Sequence, residues 1–401
     1  GVLLLSFSCK NPDNQSYSLQ TIDTLSEVNW KNAKWIGYES WPDSLKIIPG
    51  VHGSGNQLGH RGIRRPVIPQ FRREFKLSKK VEKAVLHVSG LGHYTIRMDG
   101  KALDDRFMAP GWTLYSKTCL YNSYDVTQEL RKGSHVIGVT VGNGFFNVNR
   151  ERYRKLVAAW GAPMLRLKLI IHYTDGSQEE LVSDENWKVS PSPTTFSSIF
   201  GGEDFDARLI QMGWDESRFD DTDWQKAILV KGPGGIMKPE TDYPLRIMQS
   251  FEPKNISEMS DGNFVYDFGQ NASGIPEVHV SGSSGQTIVL TPGELTDDKG
   301  YVTQQASGGP SFFSYTAAGG GAEFWKPSFT YYGFRYIGVN GAVPADHPNP
   351  EGKPVIDKII FHHTRNSSPS AGSFRCSNEL FNQIFELIDW SIRSNLASVA
   401  T

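Results

Sequence analysis

Met164–Ser183 reads MLRLKLIIHYTDGSQEELVS, and this stretch sets the architecture of the chain. An apolar run, the pair Asp175-Gly176 and a second run make a β-hairpin, because Asp-Gly suits the positive-φ positions of a tight two-strand turn. Outward from it the pattern recurs. HYTIRMDGKAL (His93–Leu103) closes a second hairpin at Asp99-Gly100, and FRREFKL (Phe71–Leu77) and KAVLHVSG (Lys83–Gly90) read as further short strands. SYDVTQELRKGSHVIGVTVGNG (Ser123–Gly144) reads as an Asp-initiated turn, one helical turn, a glycine stop and a buried strand. Short strands with turn signals between them predict a β-sandwich of jelly-roll type rather than an α/β domain.

A Pro/Gly-rich boundary, VKGPGGIMKPETDYP (Val230–Pro244), separates this unit from a second β-unit. The second unit contains GNFVYDFGQNASGIPEVHVSG, GQTIVLTPGEL and FWKPSFTYYGFRYIGVNG. The expected spans are residues 30–235 for the first sandwich and 236–365 for the second. TAAGGGAEF (Thr316–Phe324) is a loop and not a phosphate cradle, since no strand-to-helix context surrounds its glycines. The segment 366–401 ends in a different pattern: Phe381, Ile384, Phe385, Ile388, Ile392 and Leu396 follow the spacing of an amphipathic helix. Ser377 or Asn378 can cap it. Such a stripe either docks on a sheet or opens a further domain.

With 401 residues the chain has room for two or three cores, and its formal net charge of −2 gives no electrostatic case for nucleic acid. Aromatics at 12%, with 10 tryptophans, suit sheets whose surfaces stack on sugars, although most tryptophans in any fold are core. The three cysteines, Cys9, Cys119 and Cys376, are too scattered for a disulfide framework. GVLLLSFSCKNPDNQS begins apolar and turns polar after Cys9. It resembles the lipobox of bacterial lipoproteins, with Cys9 as the expected acylation site, residues 1–9 as the remainder of an export signal and 10–29 as a polar tether. The alternative is a buried apolar strand. An N-terminal lipid is the one membrane attachment expected, with the protein periplasmic or at the cell surface.

Familiar catalytic patterns fail one by one. The chain has no HExxH, no GxSxG and no Walker loop. His362-His363, on a strand, point to opposite faces and make a poor metal site. Neighbouring carboxylates occur in LDDRF (Asp104, Asp105) and GGEDFDARL (Glu203, Asp204, Asp206). Loop carboxylates of this kind shape turns or hold calcium more often than they form acid/base pairs.

Four blocks carry a family likeness. Ser89–Gly144, beginning SGLGHYTIRMDG, resembles the N-terminal domain of the bacterial α-L-rhamnosidases, as does GGEDFDARL with MGWD after it. YDFGQNASG, PGEL and PSFTYYGFRYIGV resemble the next sandwich of that family, and Gly372–Thr401 resembles the first helix of its catalytic (α/α)6 barrel. One departure is GNGFFN, where Phe145-Phe146 replace the family's usual Trp-Tyr.

The resemblance implies a mainly β fold: a jelly-roll or galactose-binding-like sandwich, then a concanavalin-like one, then one helix that begins the barrel. It implies an inverting hydrolysis of rhamnose-containing glycans whose catalytic carboxylates lie outside these 401 residues. It also implies that Asp104, Asp105 and Asn143 are candidate ligands for Ca²⁺ and rhamnose, with Trp112 beside them. Asp104-Asp105 otherwise shape the turn before APGW, and Asn143 a glycine-flanked bend. Trp112, Tyr115 and Trp160 are the expected stacking surfaces, and Glu203, Asp206 and Arg208 an expected ion-pair network. The reading from another class is a non-catalytic, surface glycan-binding lipoprotein.

Overall fold

The computed structural model describes residues 28–53 and 55–397, and over these the chain is mainly β, with a single α-helix at Glu379–Asn395. The first sandwich pairs two sheets. One runs Ile228–Leu229, Ile36–Gly37, Met164–Tyr173, Val81–Leu91, Thr118–Asp125, Ile236–Pro239, with Gln178–Val182 attached to the third of these. The other runs Gln225–Lys226, Lys188–Pro191, Pro69–Leu77, Gly133–Val141, Tyr94–Met98, Lys101–Ala102.

Period-two alternation decides which faces meet. Along Met164–Tyr173, Leu165, Leu167, Leu169 and Ile171 all enter the core, which they share with Phe71, Ile96 and Val139 of the opposite sheet and with Trp187 at the bend before Lys188–Pro191. Each such side chain removed from water contributes about 1.5–3 kcal/mol. The Asp99-Gly100 turn has φ of 49° and 79°, the two left-handed residues of a hairpin loop joining Met98 to Lys101. Asp175-Gly176 closes its hairpin too, with His172 opposite Gln178. The helical turn expected in VTQEL is absent. Asp125 Oδ1 instead accepts from Thr127 N at 3.0 Å, and this side-chain turn takes the place of a helical one.

The second sandwich is one hydrogen-bonded sheet that bends over a core containing Phe268, Leu290, Phe313, Phe334, Ile337 and Phe361. Its central strand, Phe264–Ser281, pairs first with Tyr332–Asn340 and then with Val355–Asn366, with a register break between Asp267 and Ala272. The break falls within the pairing to Tyr332–Asn340, where a bulge bends and twists the strand, and Val355–Asn366 joins from Gly274 onward.

Sheet membership does not follow the division at residues 235/236. Thr194–Ser198 and Gly202–Asp206 pair with each other, and the latter runs parallel to Phe312–Thr316 in the second sandwich. Conversely, Ile236–Pro239 runs parallel to Thr118–Tyr121 in the first. Gly202 permits the crossing: φ is 92°, and a Cβ there would lie 1.8 Å from the Phe312 carbonyl oxygen.

The terminal helix is capped by Asn378, whose side chain accepts from Leu380 N at 3.0 Å. It docks on the second sandwich through Trp390, which meets Phe251 and His363 with ring centroids 6.1 and 5.5 Å away. Leu380, Phe381, Ile384, Leu387, Ile388 and Ile392 stay exposed. The helix therefore docks through Trp390, which lies outside the predicted stripe, and most of the stripe itself stays open.

Candidate carbohydrate-binding surface

Two loops of the first sandwich converge. The segment Asp104–Trp112 lies against the start of Tyr94–Met98, where Tyr94 N donates to Ala109 O at 2.8 Å. The turn Gly142–Phe146 lies against the same start, with Gly142 N donating to His93 O at 2.9 Å. They meet at Trp112 and Phe145, whose rings stack at 4.5 Å and 11°. Phe145 then meets Phe200 edge-on at 5.8 Å, and Phe200 stacks on Tyr153 at 5.2 Å. Trp112 is 54% exposed and Phe145, Phe200 and Tyr153 are half-buried, so Trp112 is the open end of a chain of rings that pack on one another.

A buried polar lattice holds the first loop. Glu240 accepts from Gly111 N through Oε1 and from Asn122 Nδ2 through Oε2, both at 2.6 Å. Tyr94 donates its hydroxyl to Asn122 Oδ1 at 2.7 Å and lies 2.9 Å from the Tyr124 hydroxyl, with the Arg106 guanidinium over the Tyr124 ring at 5.2 Å. Burial holds the Asp104 carboxyl above the usual range, partly opposed by Arg106.

The predicted site residues separate on this frame. Asp104 pairs with Arg106 Nε at 2.7 Å, and Asp105, more exposed, pairs with Arg246 Nε at 2.9 Å. Asn143 faces inward: its Nδ2 donates to Ser197 O at 2.8 Å, and its Oδ1 is buried without a hydrogen-bond partner. Both carboxylates are thus claimed by guanidinium groups, and the amide is turned into the seam between the sandwiches. Among the described residues no cluster of three His, Cys, Asp or Glu side chains could hold a metal. Ca²⁺ takes six to eight oxygen ligands, and because each aspartate here faces a guanidinium, its binding at Asp104 and Asp105 would displace Arg106 and Arg246.

Of the three stacking candidates, Trp112 alone is open. Tyr115 is buried edge-on between Phe146 and Trp160, and Trp160 is half-buried in the same cluster. Phe145, the departure noted in the sequence, stacks behind Trp112 and holds that ring in place. Its place beside Trp112 across 33 positions of sequence has no local signal.

The acidic strand is also resolved. Asp206 holds Arg208 through two bonds of 2.9 and 2.7 Å, as expected, but Glu203 takes no part in that pair. Glu203 is fully buried and accepts from Ser328 N at 3.1 Å and Phe329 N at 2.9 Å. Desolvation pushes its carboxyl up to about 8 against the pull of those two amides. The amides hold Phe329, which packs on Gly142 so closely that a Cβ there would lie 2.3 Å from the ring. Asp204 takes the remaining arginine: Arg152 Nη2 reaches both carboxylate oxygens at 2.7 and 2.5 Å, and Ser314 donates to Oδ1 at 2.6 Å. His362 and His363 do point apart, to Ser250 and Glu277 on one side and to Ser273 O on the other. Cys9 lies outside the described residues.

Two joined sandwiches, an exposed tryptophan backed by aromatic rings on the first and a helix with an open apolar face beyond the second make up the described chain. Residues 79–249 match the alpha-L-rhamnosidase N-terminal domain, and residues 257–357 the bacterial alpha-L-rhamnosidase concanavalin-like domain. Residues 369–401 match the bacterial alpha-L-rhamnosidase 6 hairpin glycosidase domain. The chain belongs to the bacterial α-L-rhamnosidase family.

An α-L-rhamnosidase of Formosa agariphila is 31% identical over 387 residues, covering 94% of this chain and 40% of its own. One from Streptomyces avermitilis is 31% identical over 392 residues, covering 94% and 37%. The solved α-L-rhamnosidase of Dictyoglumus thermophilum superposes with a TM-score of 0.77 at 34% identity, over 93% of this chain and 40% of that one. The Streptomyces avermitilis α-L-rhamnosidase, solved in complex with L-rhamnose, gives 0.75 at 29% identity, over 84% and 32%. This chain spans about two fifths of the length of these relatives.

Proposed function

We propose that this chain is the β-sandwich portion of an inverting α-L-rhamnosidase that removes terminal α-L-rhamnose from plant glycosides or polysaccharides. In this reading the sandwiches support the catalytic barrel, and Trp112 with Phe145 offers a stacking face for sugar. The observation that carries it is the ordered run of three rhamnosidase domains along one chain, ending in a helix whose apolar face is open. Inversion needs an acid and a base ~6.5–9.5 Å apart with a water between them. Here Asp104, Asp105, Asp204 and Asp206 each face an arginine, and Glu203 is sealed behind two backbone amides. None is free to activate water beside an open sugar site, so hydrolysis is assigned to carboxylates outside these residues.

The test is an aryl rhamnoside assay on the 401-residue chain beside a longer form that continues past Thr401. Turnover is expected from the longer form alone. Comparable turnover from the short chain, abolished by Glu203→Gln or Asp105→Asn, would sink the assignment.

A glycan-binding protein without catalysis is the second reading, favoured by the exposure of Trp112. It predicts sugar binding and no turnover in either form. Export and acylation at Cys9 complete the proposal, on the apolar-to-polar change around that residue. Full-length protein carrying Cys9→Ala should leave the membrane fraction, and wild type that is already soluble refutes the anchor.

A further inference from the structure

The aromatic run ends beside an excess of positive charge. Around Ile47–His52 and Leu156–Ala159, three arginines have carboxylate partners: Arg64 with Glu39, Arg65 with Glu151, and Arg152 with Asp204. Arg61, Arg150, Arg154 and Lys155 have no such partner among the described residues. Arg61 donates only to Ser44 O, and Arg150 to Asn56 Oδ1 and Gly59 O. Backbone bonds gather them: Arg150 N donates to Gly62 O at 2.7 Å, next to Arg61, and Gly53 N donates to Lys155 O at 3.0 Å. Arg154 and Lys155 are exposed. The whole chain carries a formal charge of −2, so this is a local concentration and not general basicity.

Tyr153, next to Arg154 in the chain, is the far end of the run that begins at Trp112 and passes through Phe145 and Phe200. Aromatic faces take the apolar faces of sugar rings. Guanidinium and ammonium groups beside them take oxyanions, arginine in two-point geometry. Four cations on segments joined by these backbone bonds, with no carboxylate partner, raise the local positive potential, and an anionic ligand is attracted to it.

We propose that this face binds an acidic glycan, one of whose rings stacks on the exposed Trp112 and whose carboxylates or sulfate esters meet the cationic loop. The proposal rests on the reading that the first sandwich binds sugar and names the class of glycan it takes.

The test is calorimetry on the 401-residue chain at low and high salt. The probes are an oligogalacturonide, a sulfated carrageenan oligosaccharide, a neutral galactan oligosaccharide of matched length, and a single-stranded DNA oligomer. At least one acidic glycan should bind about tenfold or more tighter than the neutral one, and weaken as salt rises. Arg154→Glu with Lys155→Glu should remove that advantage, and Trp112→Ala should weaken acidic and neutral glycans alike. Whichever acidic probe binds identifies carboxylate or sulfate as the group recognised. Equal affinity for acidic and neutral glycans, insensitivity to the charge reversals, failure of both acidic probes, or equal affinity for DNA overturns the proposal. Turnover by the longer form is read separately, so the rhamnosidase assignment stands or falls independently of this result.

Discussion

Asp104-Asp105 and Glu203-Asp204 look alike in sequence, two adjacent carboxylates each, yet the fold treats them in opposite ways. Asp105 stands at the rim, with a side chain 64% exposed and an ion pair to Arg246. Asp204 and Glu203 sit on a strand between the sandwiches, where successive side chains point to opposite faces. Asp204 meets a guanidinium with only 7% exposure, and Glu203 meets only backbone amides. Depth and partner, not residue type, set what each carboxylate does.

The largest effect expected is at the buried pair. Asp204→Ala leaves Arg152 among Phe196 and Phe312 without its hydrogen-bonded carboxylate, which costs ~3–5 kcal/mol. Urea denaturation of the variant measures it; a loss no larger than that of an exposed pair would erase the contrast drawn above.

Next is the neighbour. Glu203 titrates near 8 in the fold against an ordinary 4.5, so the folded state holds a proton that the unfolded chain has released between those values. Its stabilising contribution is therefore complete below pH about 4.5 and is lost as pH rises through about 8. Glu203→Gln keeps the shape without the charge and should flatten that part of the pH–melting curve while raising the melting temperature above pH 8. Parallel wild-type and variant curves would refute it.

The smallest effect is at the rim. Asp105→Asn should change stability by ~0–1 kcal/mol, the usual worth of an exposed pair. Because Arg106 and Arg246 occupy the two aspartates, rhamnose binding should give the same heat with and without a chelator. Heat that vanishes on chelation would show that calcium displaces those arginines.

Local features were legible in the sequence because their causes are local. Asp-Gly turns, the Asn378 cap and the helical stripe each depend on residues within a few positions. Arg106, two positions after Asp104, was a visible sign that this aspartate is paired. Long-range closures left no such trace: Asn143 is held by Ser197, 54 positions on, and Asp105 by Arg246. The same reason hid the inward turn of Tyr115 and the exposed stacking of Phe145 on Trp112, since both depend on where two distant loops meet.

The crossing of Gly202–Asp206 into the second sandwich has a consequence for synthesis. On the ribosome this strand emerges with an open parallel edge whose partner, Phe312–Thr316, follows about a hundred residues later, a delay of ~5–20 s at ordinary elongation rates. Throughout that interval the nascent first sandwich exposes a strand edge to other chains, which is a route to misassembly. Separating the sandwiches at residue 235 would make the interval permanent, so the two halves are expected to survive expression only together.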